Sequence, residues 1–88
     1  MNEIRTGFIG IIVENREKVA EVNSILSAFS ALIRGRIGIP DHENGTAVIG
    51  LIVEGTNDQM GAMTGKLGNL KGITVKSAMT AKTKGVSV

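Results

Sequence analysis

Cysteine, tryptophan and tyrosine are absent from these 88 residues, and proline and histidine occur once each, as Pro40 and His42. Without cysteine there is no disulfide framework, iron–sulfur cluster, thiolate zinc site or cysteine nucleophile. Phe8 and Phe29 are the only aromatic residues, too few for a platform on which nucleic-acid bases stack. A formal net charge of +2 is small for a binder of phosphate backbones, so direct nucleic-acid contact is not expected. Long apolar runs are lacking as well, so no segment reads as a membrane span. The opening Met1-Asn2-Glu3-Ile4-Arg5 does not resemble a signal peptide. A small cytoplasmic domain is the expectation. One histidine cannot supply the three or four ligands of a metal site, and a Ser-His-Asp arrangement would have to use that same residue. No metal, no cofactor and no enzymatic activity are therefore expected.

What the chain has in excess is glycine, 12 residues of 88, and an internal repeat. Ile9-Gly10-Ile11-Ile12-Val13-Glu14 recurs forty positions later as Ile49-Gly50-Leu51-Ile52-Val53-Glu54. Each copy is β-branched and reads as a buried strand. A helix signal follows each one. Asn15 can cap a segment with apolar residues at Val19, Val22, Leu26 and Phe29. Thr56-Asn57-Asp58-Gln59 has the capping-box pattern ahead of Met60, Met63, Leu67 and Leu70. Further strands are predicted from Ile33 to Ile39 and from Ile73 to Met79. Pro40 ends the first of these, and Asp41-His42-Glu43-Asn44-Gly45 forms a hairpin loop. The order β-α-β-β-α-β predicts an α+β, ferredoxin-like sandwich: a four-stranded antiparallel sheet with both helices on one face. The repeated strands take the centre and the other two the edges. Residues 1–79 form this single domain, and 80–88 read as a mobile tail.

In such a fold one face of the sheet is left uncovered. Side-chain alternation puts Ile9, Ile11, Val13, Ile49, Leu51 and Val53 toward the helices, and Phe8, Gly10, Ile12, Val48, Gly50 and Ile52 on the open side. Both sides are apolar. At the edges Ile33, Ile37 and Ile39 are expected to point to the helices and Arg34 and Arg36 to the open face, with Thr74 and Lys76 on the other edge. An apolar centre with a basic rim is the anatomy of an interface, and 88 residues supply no third layer to cover it. Self-association as a homodimer or homotetramer is expected through Phe8, Gly10, Ile12, Arg34, Arg36, Val48, Gly50 and Ile52. Gly10 and Gly50 would allow a backbone or ligand close approach.

Other motifs carry less. Gly61-Ala62-Met63-Thr64-Gly65-Lys66-Leu67-Gly68 is one residue short of a phosphate loop, has Leu67 where a hydroxyl is required, and lies within a helix. Gly61 and Gly65 instead predict close packing on the sheet or on another subunit. His42 and the sequon Asn44-Gly45-Thr46 read as parts of a solvated turn. All eight acids fall within residues 1–58, and residues 59–88 carry five lysines and no acid. This asymmetry fits either the dipole of the second helix or a face that attracts anions. The strand-to-helix loops offer free backbone N–H groups, so Glu14, Asn15 and Arg16, with Gly55, Thr56 and Asn57, are the candidate contacts for a small anionic effector.

The stretch Gly10 to Met79 resembles the family of iron-only hydrogenase system regulators. The resemblance rests on Ile12-Val13-Glu14-Asn15-Arg16-Glu17-Lys18, on Gly61 to Gly68, and on Gly72-Ile73-Thr74-Val75-Lys76. That family is similar in fold to ACT domains and to the C-terminal domain of nickel-responsive repressors, which are oligomeric regulatory modules. The resemblance implies a non-enzymatic regulator, transcriptional through a partner, because a ribbon-helix-helix DNA-binding domain has no room here. The expected mechanism is effector binding at loops on a subunit interface. The alternative is a protein-interaction module without a small ligand that docks a metabolic enzyme or a regulator.

Overall fold

A computed structural model describes residues 3–41 and 45–80, the side chains of Pro40 and Asp41 excepted. Its elements are β1 (Arg5–Val13), α1 (Val19–Ala28), β2 (Ile33–Asp41), β3 (Thr46–Gly55), α2 (Asn57–Gly68) and β4 (Ile73–Met79). Short 3-10 turns at Arg16–Lys18 and Ser30–Leu32 flank α1. The strands form one antiparallel sheet in the order β2-β3-β1-β4, so the repeated strands are central, as the sequence predicts.

The repeat has a geometric counterpart. Gly10 pairs with Gly50, Phe8 with Ile52 and Ile12 with Val48. An offset of forty residues carries Gly10 to Gly50, Phe8 to Val48 and Ile12 to Ile52. The two halves are thus exchanged by an approximate two-fold axis normal to the sheet, passing between Gly10 and Gly50.

The core lies between the sheet and the helices. Ile9, Ile11, Val13, Leu51 and Val53 are fully buried from the sheet, and Val22, Met63 and Leu67 from the helices. Each such side chain contributes about 1.5–3 kcal/mol relative to remaining exposed. No charged or polar residue is buried among those described. Among the described residues no helix is long and apolar enough to cross a membrane.

Local chemistry sets the helix starts. The Thr56 hydroxyl oxygen accepts from the Gln59 N–H at 3.2 Å, and Gln59 Oε1 accepts from the Thr56 N–H at 2.9 Å, the reciprocal cap that the pattern predicts. At the first helix the outcome differs. Asn15 Oδ1 accepts from the Glu17 N–H at 2.9 Å and closes the 3-10 turn, and α1 begins only at Val19. A tight turn at a helix start satisfies orphan donors over a shorter span than a full α-turn.

Two further expectations are corrected. β2 continues through Pro40, paired with Ala47, to Asp41, paired with Thr46. An edge strand tolerates proline because half of its N–H groups have no partner strand to meet. A Cβ built at Gly61, Gly65 or Gly68 meets nothing within 4 Å, so these glycines lie on the outer side of α2 and do not pack on the sheet. Met60, Met63 and Leu67 make that contact instead. His42, Glu43 and Asn44 of the hairpin, and the tail from 81 onward, lie outside the described residues. Thr80 is tied down, its N–H donating to the Thr6 carbonyl at 3.0 Å.

Candidate functional site: the open face of the sheet

Three rows of paired residues build the uncovered face. Gly35, Ile52, Phe8 and Ala78 form the first, Ile37, Gly50, Gly10 and Lys76 the second, and Ile39, Val48, Ile12 and Thr74 the third. Phe8, Gly10, Ile12, Val48, Gly50 and Ile52 are where alternation places them. The β2 edge is not. Ile33 pairs with Val53 and Gly35 with Ile52, so Arg34 and Gly35 together stand against one residue of β3.

This bulge reverses the alternation beyond it, because a strand's side-chain period is two. Ile37 and Ile39, expected to face the helices, therefore stand on the open face, 67% and 65% exposed. Arg36, expected on the open face, turns to the helix side, where its guanidinium donates to Asn23 Oδ1 of α1. Arg34 stays on the open side and donates from Nε to Glu54 Oε1 at 3.1 Å. That pair is largely solvated and contributes under about 1 kcal/mol. Sequence reasoning missed Ile37 and Ile39. The available signal was Gly35, since a glycine inside a strand pattern marks a bulge.

The bulge enlarges the apolar surface and leaves Lys76 and Thr74 on the β4 edge. The two glycines at its centre have a use within the chain itself. A Cβ at Gly50 would fall 3.0 Å from Phe8 Cζ and 3.3 Å from Ile37 Cγ2, and one at Gly10 3.6 Å from Phe8 Cε2. The Phe8 ring lies over the glycine pair and closes off Gly50. Beside it is a shallow hollow of about 280 Å³, walled by Phe8, Ile12, Ile37, Ile39, Val48 and Lys76.

The candidate effector residues form no single group. β1 and β3 are antiparallel with Arg5 opposite Gly55 and Val13 opposite Ala47, so Glu14, Asn15 and Arg16 lie at one end of the sheet and Gly55, Thr56 and Asn57 at the other. Nine residues of strand separate them, roughly 27 Å at the usual rise. At the first end the Glu14 N–H donates to the Gly72 carbonyl at 2.9 Å, and the Arg16 side chain runs past Gly45. At the second, a Cβ on Gly55 would meet Leu32 Cδ2 at 2.8 Å and Gln59 Oε1 at 2.9 Å. Asn15 and Thr56 are both engaged as caps. No group of three or more histidine, aspartate or glutamate side chains that could hold a metal occurs among the described residues.

The family model described as "TM1266-like: Iron-only hydrogenase system regulator, putative" matches residues 5–77. An uncharacterized protein of Thermotoga maritima, TM1266, superimposes with a TM-score of 0.82 at 41% identity, over 88% of this chain and 98% of that one. A nitrogen regulatory PII-like protein of Thiomonas intermedia, bound to ADP, AMP and bicarbonate, superimposes with a TM-score of 0.51 at 11% identity, over 91% of this chain and 96% of that one. A formyltetrahydrofolate deformylase of Pseudomonas syringae has a TM-score of 0.58 at 17% identity, over 89% of this chain but 28% of the enzyme. The last two share the ferredoxin-like fold. No curated protein matches the chain.

Proposed function

The chain belongs to the TM1266-like family, described as regulators of the iron-only hydrogenase system, and from that premise we propose that it is a non-enzymatic regulatory module acting by association through its open sheet face. The observation that carries this reading is the apolar centre of that face. Phe8, Ile12, Ile37, Ile39, Val48 and Ile52 are all 43% exposed or more. Soluble monomers seldom leave so continuous an apolar surface to water. The bulge in β2 adds to it, turning outward two isoleucines that a regular register would have directed at the helices. Whatever covers the face, a second copy or another regulator, gains their burial.

Regulation is then a matter of which partner or packing is populated, in the cytoplasm and without contact to nucleic acid by this module itself. Any influence on transcription passes through a partner protein. A small anionic effector is the second element of the reading. The loops at Glu14–Arg16 and Gly55–Asn57 offer two separate places for it, each needing groups from another subunit to become a pocket. The lining of the central hollow favours protein docking over a small charged ligand.

Light scattering at micromolar concentration tests the association. The wild-type chain is expected to be larger than a monomer, or to become so with a co-purifying regulator, and Ile37→Glu to abolish either state. A thermal-shift series with inorganic phosphate, nucleotides and amino acids tests the effector. Stabilisation by one of them, lost in Arg16→Ala, supports the sensing role, and none across the series leaves docking alone.

A further inference from the structure

The bulge in β2 also acts on the helix side of the sheet. Unbroken alternation from Ile33 would leave Arg36 on the open face. The extra residue at Arg34 and Gly35 brings it round to the groove between β2 and α1. Bulges recur beside functional sites because they re-aim a side chain in this way. Arg36 lies in the wall of an open hollow of about 390 Å³, together with Asn23, Ser27, Ser30, Leu26 and Ile33. That volume falls at the small end of ligand clefts, about 300–1,000 Å³. Asn23 and Ser27 stand one turn apart on α1, and Ser30 opens the 3-10 turn that follows it.

The polar groups around this hollow are donors without a matching acid. Arg36 uses one N–H for Asn23 Oδ1, which leaves most of the guanidinium's donors unengaged. With its oxygen so occupied, Asn23 has its NH2 left to donate. Among the described residues no hydrogen bond within the chain engages the Ser27 or Ser30 hydroxyl, and no carboxylate pairs with Arg36. No acidic residue lines the hollow, and Leu26 and Ile33 give it an apolar floor. We propose that this groove binds a phosphate group, held by the Arg36 fork and by Asn23, Ser27 and Ser30. A guanidinium meets phosphate through paired N–H donors, and a tetrahedral anion has oxygens left for the amide and both hydroxyls. The site lies across the sheet from the open face and is complete within one chain. It therefore goes beyond the association reading, and it differs from the loop sites in needing no second subunit.

An isotope-labelled chain titrated at constant ionic strength with inorganic phosphate, phenyl phosphate and acetate tests the site by NMR. Saturable shifts are expected at the Asn23 side-chain amide and at the Ser27 and Ser30 N–H groups, with phosphate bound at least ~10-fold tighter than acetate. Arg36→Gln is expected to weaken phosphate binding ~10- to 100-fold, and Ser27→Ala combined with Ser30→Ala about 3- to 10-fold. Lys71→Gln removes the same charge elsewhere and is expected to change the affinity less than about 2-fold. The same spectra report whether each variant stays folded. Equal affinity for the two phosphates assigns the free ion as ligand. Tighter binding of phenyl phosphate assigns an ester whose organic part lies on Leu26 and Ile33.

No saturable shift with either phosphate, or shifts centred on Arg16 in the loop after β1, overturns the groove as the site. If Arg36→Gln and Lys71→Gln weaken binding alike, the effect is one of net charge and the proposal falls. It falls as well if acetate binds as tightly as phosphate. An Arg36 that only ties β2 to α1 would lower the thermal midpoint in Arg36→Gln, with no phosphate response in the wild-type chain. None of these results bears on the association reading, whose test is the oligomeric state.

Discussion

A methyl group at Gly55 would fall within 3 Å of both Leu32 Cδ2 and Gln59 Oε1, whereas one at Gly65 would reach nothing. The two glycines therefore predict opposite responses to the same change. Gly55→Ala overpacks the corner where β3 enters α2 and displaces the side chain that completes the cap, and a loss of about 1–3 kcal/mol is expected in urea unfolding. Gly65→Ala removes a flexible residue from an exposed helix position, and a gain of about 0.5–1 kcal/mol is expected by the same measurement. Glycine content alone does not separate these cases. The repeat marks Gly10 and Gly50 as special, but their partner is the Phe8 ring of the same chain, a contact set by tertiary packing.

At the scale of elements, the cap of α2 was fully legible because a reciprocal cap is local: Thr56 and Gln59 are three residues apart and need no tertiary partner. Thr56→Ala leaves the Gln59 N–H without its side-chain acceptor, and a loss of about 1 kcal/mol is expected, read as a lower urea midpoint at unchanged slope. At the β2 edge, alternation continued through Gly35 assigns the wrong faces. Local pattern fixes the face of a residue only while the register holds. The bulge between Ile33 and Gly35 is a property of the pairing with β3. It sends Arg36 to Asn23 and brings Ile37 and Ile39 outward, and so alters the composition of the candidate site more than any other feature.

For the molecule as a whole, an assembly held by an apolar face should respond to salt differently from one held by charge. Raising ionic strength from about 0.05 to 0.5 M screens surface pairs but not apolar burial. Sedimentation is expected to show association unchanged or slightly tighter across that range, and a marked loosening would point to Lys76 and the lysine-rich second half as the adhesive instead. The core itself depends on few side chains. Met63, wholly buried from α2, is expected to cost about 2–5 kcal/mol as Met63→Ala, a large share of the stability available to a domain of this size.

The sequence by itself determined the order of elements, the central place of the repeated strands, the capping of α2 and the apolar character of both sides of the sheet. These follow from periodicity and short-range chemistry, which act within a few residues along the chain. Tertiary structure decided the rest. It decided which way the β2 isoleucines face, because that depends on register across two strands. It set the two strand-to-helix loops at opposite ends of the sheet, because antiparallel pairing reverses direction. It laid the Phe8 ring over Gly10 and Gly50. Where long-range pairing assigns direction, composition and spacing have no physical means of recording it.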